Sequence, residues 1–102
     1  MNRTRAWNAA TPARSIVKRG DASFPPDLAV EVLSPDDRPR EVRDKVADWL
    51  SAGTLLVWVV DPIKETARVY RADGSESEIG ADGALDGETV LPGFVCELRS
   101  VL

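Results

Sequence analysis

A chain of 102 residues suits one compact domain and leaves no room for two. Its make-up, 43% hydrophobic and 29% charged with a net charge of −4, is that of an ordinary folded domain rather than a disordered one. With no histidine and a single cysteine, Cys96, it excludes zinc sites, Ser-His-Asp triads and Cys-His dyads, so any catalysis falls to carboxylates, lysine, hydroxyls or a hard metal ion.

Residues 1–25 hold five of the Lys and Arg (Arg3, Arg5, Arg14, Lys18, Arg19) against one acid, Asp21. They lack sustained periodicity and contain Pro12, Gly20 and Pro25. The stretch reads as a basic, poorly ordered arm with at most a short extended piece at Arg14 to Lys18. Such an arm on an acidic body could touch phosphates, but five scattered charges are weak evidence for that and describe a solvated tail better. Met1-Asn2-Arg3-Thr4-Arg5 leads into no apolar stretch of the secretory type, and an unpairable cysteine suits a reducing cytoplasm. The longest apolar run, Leu55 to Val60, is too short to cross a bilayer, so no membrane span is expected.

Order is expected from Pro26, giving a domain over 26–102. A strand over 28–33 (Leu-Ala-Val-Glu-Val-Leu) is apolar on both faces apart from Glu31. The turn Ser34-Pro35-Asp36-Asp37 offers Asp36 or Asp37 as a helix cap, with Pro39 in the first turn and Glu41 placed favourably near the helix N-terminus. A helix over 38–52 follows, its apolar stripe set by Val42, Val46, Trp49 and Leu50, and Gly53 stops it. A second continuous apolar strand over 55–60 closes a βαβ unit, which predicts two parallel strands. Thr66 to Arg71 alternates with Ala67 and Val69 inward and Arg68 and Tyr70 outward, and Ala72-Asp73-Gly74 turns it into a hairpin with Glu76 to Ile79. Short edge strands are expected at Thr89 to Phe94 and Val95 to Leu98. The fold class is α/β, with a mixed sheet.

Glu31 is the residue that demands an account. A charge inside a doubly covered strand must be paired, bind a metal or shift its pKa. Asp27 shares its strand face, but four residues of extended chain separate the two by about 13 Å, too far to share one Mg²⁺. A partner for Glu31 must come from elsewhere. Lys45 flanks the helix's apolar stripe, where it could reach toward Glu31 or run along the flank to water. Asp36, Asp37, Glu41, Asp44 and Asp48 describe capping and a solvated face, Trp49 and Trp58 core, and Ser34 a turn.

The segment Pro26-Asp27-Leu28-Ala29-Val30-Glu31-Val32-Leu33-Ser34-Pro35, then Lys45, Gly53, Val57-Trp58-Val59-Val60-Asp61-Pro62, Val69-Tyr70-Arg71 and Leu91-Pro92-Gly93-Phe94, resembles the Uma family of restriction endonucleases within the PD-(D/E)XK nuclease superfamily. The resemblance spans Phe24 to Leu102 and implies a restriction-endonuclease-like core acting on DNA. It implies that Glu31 is the second acidic metal ligand and that Lys45 is the lysine found on the helix in this family, the position two beyond Glu31 being Leu33. Mg²⁺ or Mn²⁺ is the implied cofactor, in hydrolysis of phosphodiester bonds. The family's first catalytic aspartate belongs on an earlier strand, and only Asp21 precedes Asp27, so the chain reads as an N-terminally truncated nuclease with Asp21 and Asp27 as weaker site candidates. That loss is expected to leave an open edge on strand 28–33 that invites a homo-oligomer. Two other readings stay open: an inactive dimerising or regulatory remnant, and a small structural domain with a buried Glu31–Lys45 ion pair.

Overall fold

The computed structural model describes residues 3–7 and 26–102. Seven strands, one α-helix and a closing 3-10 turn make up these residues. They run β1 (Arg3–Trp7), β2 (Leu28–Val32), α1 (Pro39–Ala52), β3 (Leu56–Asp61), β4 (Thr66–Arg71), β5 (Glu76–Ile79), β6 (Ala84–Asp86) and β7 (Val95–Glu97), with the 3-10 turn at Leu98–Val101. The first five strands form one sheet in the order β1-β2-β3-β4-β5. As the βαβ pattern predicts, β2 and β3 pair in parallel, Glu31 lying across from Val59. All other pairs in the sheet are antiparallel.

Two layers cover this sheet because its central strands are apolar on both faces. Leu28, Val30, Val32, Leu56, Trp58, Val60, Ala67 and Val69 pack on one side against Leu85, Leu91 and Leu98 of the C-terminal segment. Ala29, Val57 and Val59 face the other way, onto Val42, Val46 and Trp49 of α1. The two-residue alternation of β2 and β3 and the i, i+4, i+7 spacing of the helix therefore describe one sandwich of three layers.

The helix ends as its sequence predicts. Gly53 has φ 110°, and it donates to the Leu50 carbonyl at 3.1 Å while Thr54 donates to that of Trp49 at 3.0 Å. A side chain other than glycine would be strained at that φ. The start differs from expectation. Arg38 is the N-cap and makes no side-chain cap bond. Asp37 turns backward instead, its Oδ2 accepting from the Ser34 N–H at 2.8 Å and the Ser34 hydroxyl at 3.3 Å. Pro39 in the first helical turn already lacks one of the N–H groups a cap would satisfy, which leaves Asp37 available to the tighter turn.

Three further expectations are corrected. No strand is expected at Arg3–Trp7, yet β1 forms there and pairs antiparallel along the whole of β2. The edge of β2 is therefore closed by the same chain, and a homo-oligomer through that edge has no free ladder to join; the piece expected at 14–18 lies outside the described residues. The C-terminal strands do not extend the main sheet. β6 and β7 pair only with each other, in a separate two-stranded sheet, because Leu85 must turn onto the apolar face of the main sheet. Residues 89–94 form the turn between them, tightened where a Cβ on Gly87 would meet the Leu91 carbonyl at 2.5 Å. No helix among the described residues is long and apolar enough to cross a membrane.

Candidate active site

The register places Glu31 in a row that crosses the sheet: Thr4, Glu31, Val59, Arg68 and Glu78 stand side by side on successive strands. The next row is Ala6, Ala29, Val57, Tyr70 and Glu76. Glu31 alternates with the residues of the opposite face, so it lies on the side that α1 covers, and it is fully buried. Charge in such a place is stable only with a partner, and Glu31 does take part in an interaction. So does Lys45, half-buried on the same α1 that roofs this face. Helix and strand thus bring the two sequence candidates to one layer boundary.

The weaker candidates separate from them. Asp27 sits at the entrance to β2, its carbonyl accepting from the Leu55 and Leu56 N–H groups at 3.1 Å each, four residues from Glu31 along an extended strand. Its position locks the start of β3 rather than converging on Glu31. Asp21 lies outside the described residues. Leu33, two residues beyond Glu31, donates its N–H to the Val60 carbonyl at 2.8 Å and carries no charge to the site.

Beyond the C-terminal ends of the parallel pair, where open α/β sheets generally hold their ligands, an open groove of about 730 Å³ runs between α1 and β4. Leu33, Val59 and Tyr70 contribute apolar surface, and Arg43, Lys64 and Arg68 bring three cations from three different elements. Asp37, Asp61, Glu76 and Glu78 balance them. Two of these acids are occupied with backbone: Asp37 closes the Ser34 turn, and Asp61 accepts from the Ile63 and Lys64 N–H groups at 3.1 Å each. Arg68 stands 3.8 Å from Glu76 in a solvent-exposed pair of small energetic weight. Glu31 itself does not reach the groove surface; Val59, directly across from it, does.

Arg43, Arg68 and Tyr70 were not singled out on sequence alone. The alternation of β4 turns both Arg68 and Tyr70 outward, yet Tyr70 packs against the cluster under α1 while Arg68 stays partly exposed at the groove. Only the β3–β4 register, which sets Arg68 beside Val59 and Tyr70 beside Val57, reveals their approach to Glu31. Burial, followed by the charge of Glu76, raises the Tyr70 phenol above its ordinary value, while Arg68 and Arg43 oppose that rise. Tyr70 is the only tyrosine of the chain, so ultraviolet titration reads it directly. Its midpoint is expected above that of the urea-unfolded chain. Stability from this group is then fully present below the unfolded value of about 10 and lost as pH rises through the folded one. A folded midpoint equal to the unfolded one would refute the burial of Tyr70 under α1.

A divalent ion requires a set of oxygen donors, and the described residues do not supply one. Among them no three His, Cys, Asp or Glu side chains cluster as a metal site. Glu31 is a single, fully buried carboxylate, whereas Mg²⁺ takes an octahedral set of oxygen donors. The strand beside it, Arg-Thr-Arg-Ala-Trp, contains no acid. What is present is a buried carboxylate, a lysine on the covering helix and a cation-bearing groove.

A family model described as Uma2, "Putative restriction endonuclease", matches residues 4–99. Among solved structures, a putative nuclease of the DUF820 group from Anabaena variabilis superposes with a TM-score of 0.66 at 24% sequence identity. That superposition covers 76% of this chain and 44% of the other, so the chain spans less than half the length of that protein. The match begins upstream of β2 and takes in residues 4–7 of β1. No curated protein matches.

Proposed function

The chain belongs to the Uma2 family of restriction-endonuclease-like proteins, and we propose that it acts on DNA as the Glu31–Lys45 part of a metal-dependent endonuclease site. The observation that carries this reading is a fully buried glutamate in the middle of an apolar strand, beneath a helix that brings a lysine to the same face. Burial of a carboxylate is costly, and a chain that only needed a core would place Val or Leu there. Arg43, Lys64 and Arg68 give the neighbouring groove the cations that a phosphate backbone requires. Lys45 would neutralise charge that develops on a scissile phosphate, and Glu31 would supply one donor to Mg²⁺ or Mn²⁺. The remaining donors must come from outside residues 26–102, with Asp21 and a second copy of the chain as sources. The metal would supply charge neutralisation and an activated water.

Nicking of supercoiled plasmid by the purified chain in Mg²⁺ or Mn²⁺ tests this. Slow conversion to open circles is expected, abolished by EDTA and lowered by about a hundredfold or more in Lys45→Ala, the size usual for loss of one charge-stabilising group. Equal nicking by wild type and Lys45→Ala, or nicking that survives EDTA, would sink the assignment. A folded wild type with no cleavage at all favours the second reading, a non-catalytic nuclease-fold module, for which the acid-free β1 speaks.

A further inference from the structure

Tyr70 is the only aromatic residue among those lining the groove between α1 and β4, and it is half-buried there. Arg68, two residues back along β4, shares its face, and Arg43 comes from α1. The charges of both arginines act on the Tyr70 phenol. The groove's acids are placed differently. Two of the four are held by backbone N–H groups. The other two, Glu76 and Glu78, stand opposite Tyr70 and Arg68 in the β4–β5 ladder, on the strand that ends the sheet.

A phosphate backbone needs only the cations. An aromatic ring flanked by guanidinium groups suits a nucleobase, which stacks on both kinds of plane. In a duplex the faces of each base are covered by its neighbours, so Tyr70 finds nothing to stack on, whereas an unpaired base offers it a free face. A duplex also carries a second phosphate strand, for which the Glu76 and Glu78 side of the groove is repulsive. At about 730 Å³ the groove falls within the range of pockets that enclose a small ligand, a scale that suits an unpaired nucleotide.

We propose that this groove is a binding site for single-stranded DNA, one unpaired base stacking on Tyr70 while the flanking phosphates meet Arg43 and Arg68. The proposal rests on the nuclease reading for its biological meaning, and it narrows the substrate to DNA with unpaired nucleotides: flaps, bulges and frayed ends.

Fluorescence anisotropy in EDTA, which silences metal-dependent cleavage, is the test, with a labelled oligothymidine beside a blunt duplex of equal phosphate count. Wild type is expected to hold the single strand about tenfold or more tighter than the duplex, the size of one base–aromatic stack. Tyr70→Leu should lose that preference and leave duplex binding unchanged, and Tyr70→Phe, which keeps the ring, should retain it. Arg43 is exposed on α1, so Arg43→Gln is expected to fold normally, to weaken single-strand binding and to flatten its salt dependence by about one phosphate contact. Duplex held as tightly as the single strand overturns the proposal and leaves the nuclease reading standing. A folded Tyr70→Leu with wild-type single-strand affinity overturns it as well. If Tyr70→Leu does not fold, Arg43→Gln decides, and an unchanged affinity and salt slope overturn the proposal. Binding of neither DNA overturns both readings. A Tyr70-dependent single-strand preference in a chain that nicks no DNA in Mg²⁺ or Mn²⁺ refutes the nuclease reading alone.

Discussion

Glu31→Leu is expected to remove all metal-dependent nicking and yet to unfold within about 1 kcal/mol of wild type, or at a higher temperature. A buried carboxylate is weak evidence for stability: charge taken out of water costs several kcal/mol, and apolar replacements of similar volume are often neutral or stabilising. The sheet face that carries Glu31 also holds the apolar cluster of Ala29, Val57 and Val59 with Val42, Val46 and Trp49 of α1, a setting that receives leucine readily. The cations nearest this face do not become trapped when the carboxylate goes. Lys45 is only half-buried and Arg43 is exposed, so both have a path to water. Loss of function with stability kept marks a residue held for chemistry. A loss of about 3 kcal/mol or more in urea unfolding would instead identify Glu31 as a structural partner, and the reading as a small structural domain would stand in place of the nuclease. The chain then would owe its buried charge to packing alone.

The parts of this fold that are readable from sequence are those governed by local rules. Leu28 to Val32 and Leu56 to Val60 announce themselves as doubly covered strands, and the helix between them forces the parallel pairing observed. Gly53 ends the helix because its φ of 110° suits glycine, a requirement met within one residue. What escaped depends on contacts between distant segments. Two charges in the five residues of Arg3–Trp7 hide β1 from any pattern search, and its partner β2 begins twenty-one residues beyond its end. β6 and β7 are three residues each, too short for alternation to register, and Leu85 finds its place only against a finished sheet. The same holds for the site. Glu31 and Lys45 stand out because each breaks a local pattern, whereas Arg68 and Tyr70 obey theirs, and only the ladder puts them in rows beside Val59 and Val57. Asp37 is a plausible cap by type, yet Ser34 competes for it and wins.

Those non-local contacts converge on Trp58, where the largest loss of stability is expected. Trp58 is 2% exposed at the centre of β3, and its ring meets Phe94 at 5.9 Å between centroids, joining the main sheet to the C-terminal layer. Trp58→Ala removes the ring contact with Phe94 and leaves a cavity that the short β6–β7 sheet cannot close without giving up its own packing. The expected cost is about 3–5 kcal/mol. A domain of this size has a total stability of about 5–15 kcal/mol, so the variant should unfold at far lower urea or not fold at all. Trp58→Phe separates the two contributions of the indole. Its Nε1 is buried with no hydrogen-bond partner among the described residues, a desolvation penalty that phenylalanine does not carry. Removing that donor offsets part of the lost volume, so Trp58→Phe is expected to retain most of the stability that alanine forfeits. Equal losses for the two variants in urea unfolding would mean that the indole N–H is satisfied. A loss below about 1 kcal/mol for Trp58→Ala would mean that the C-terminal sheet does not rest on β3 at all.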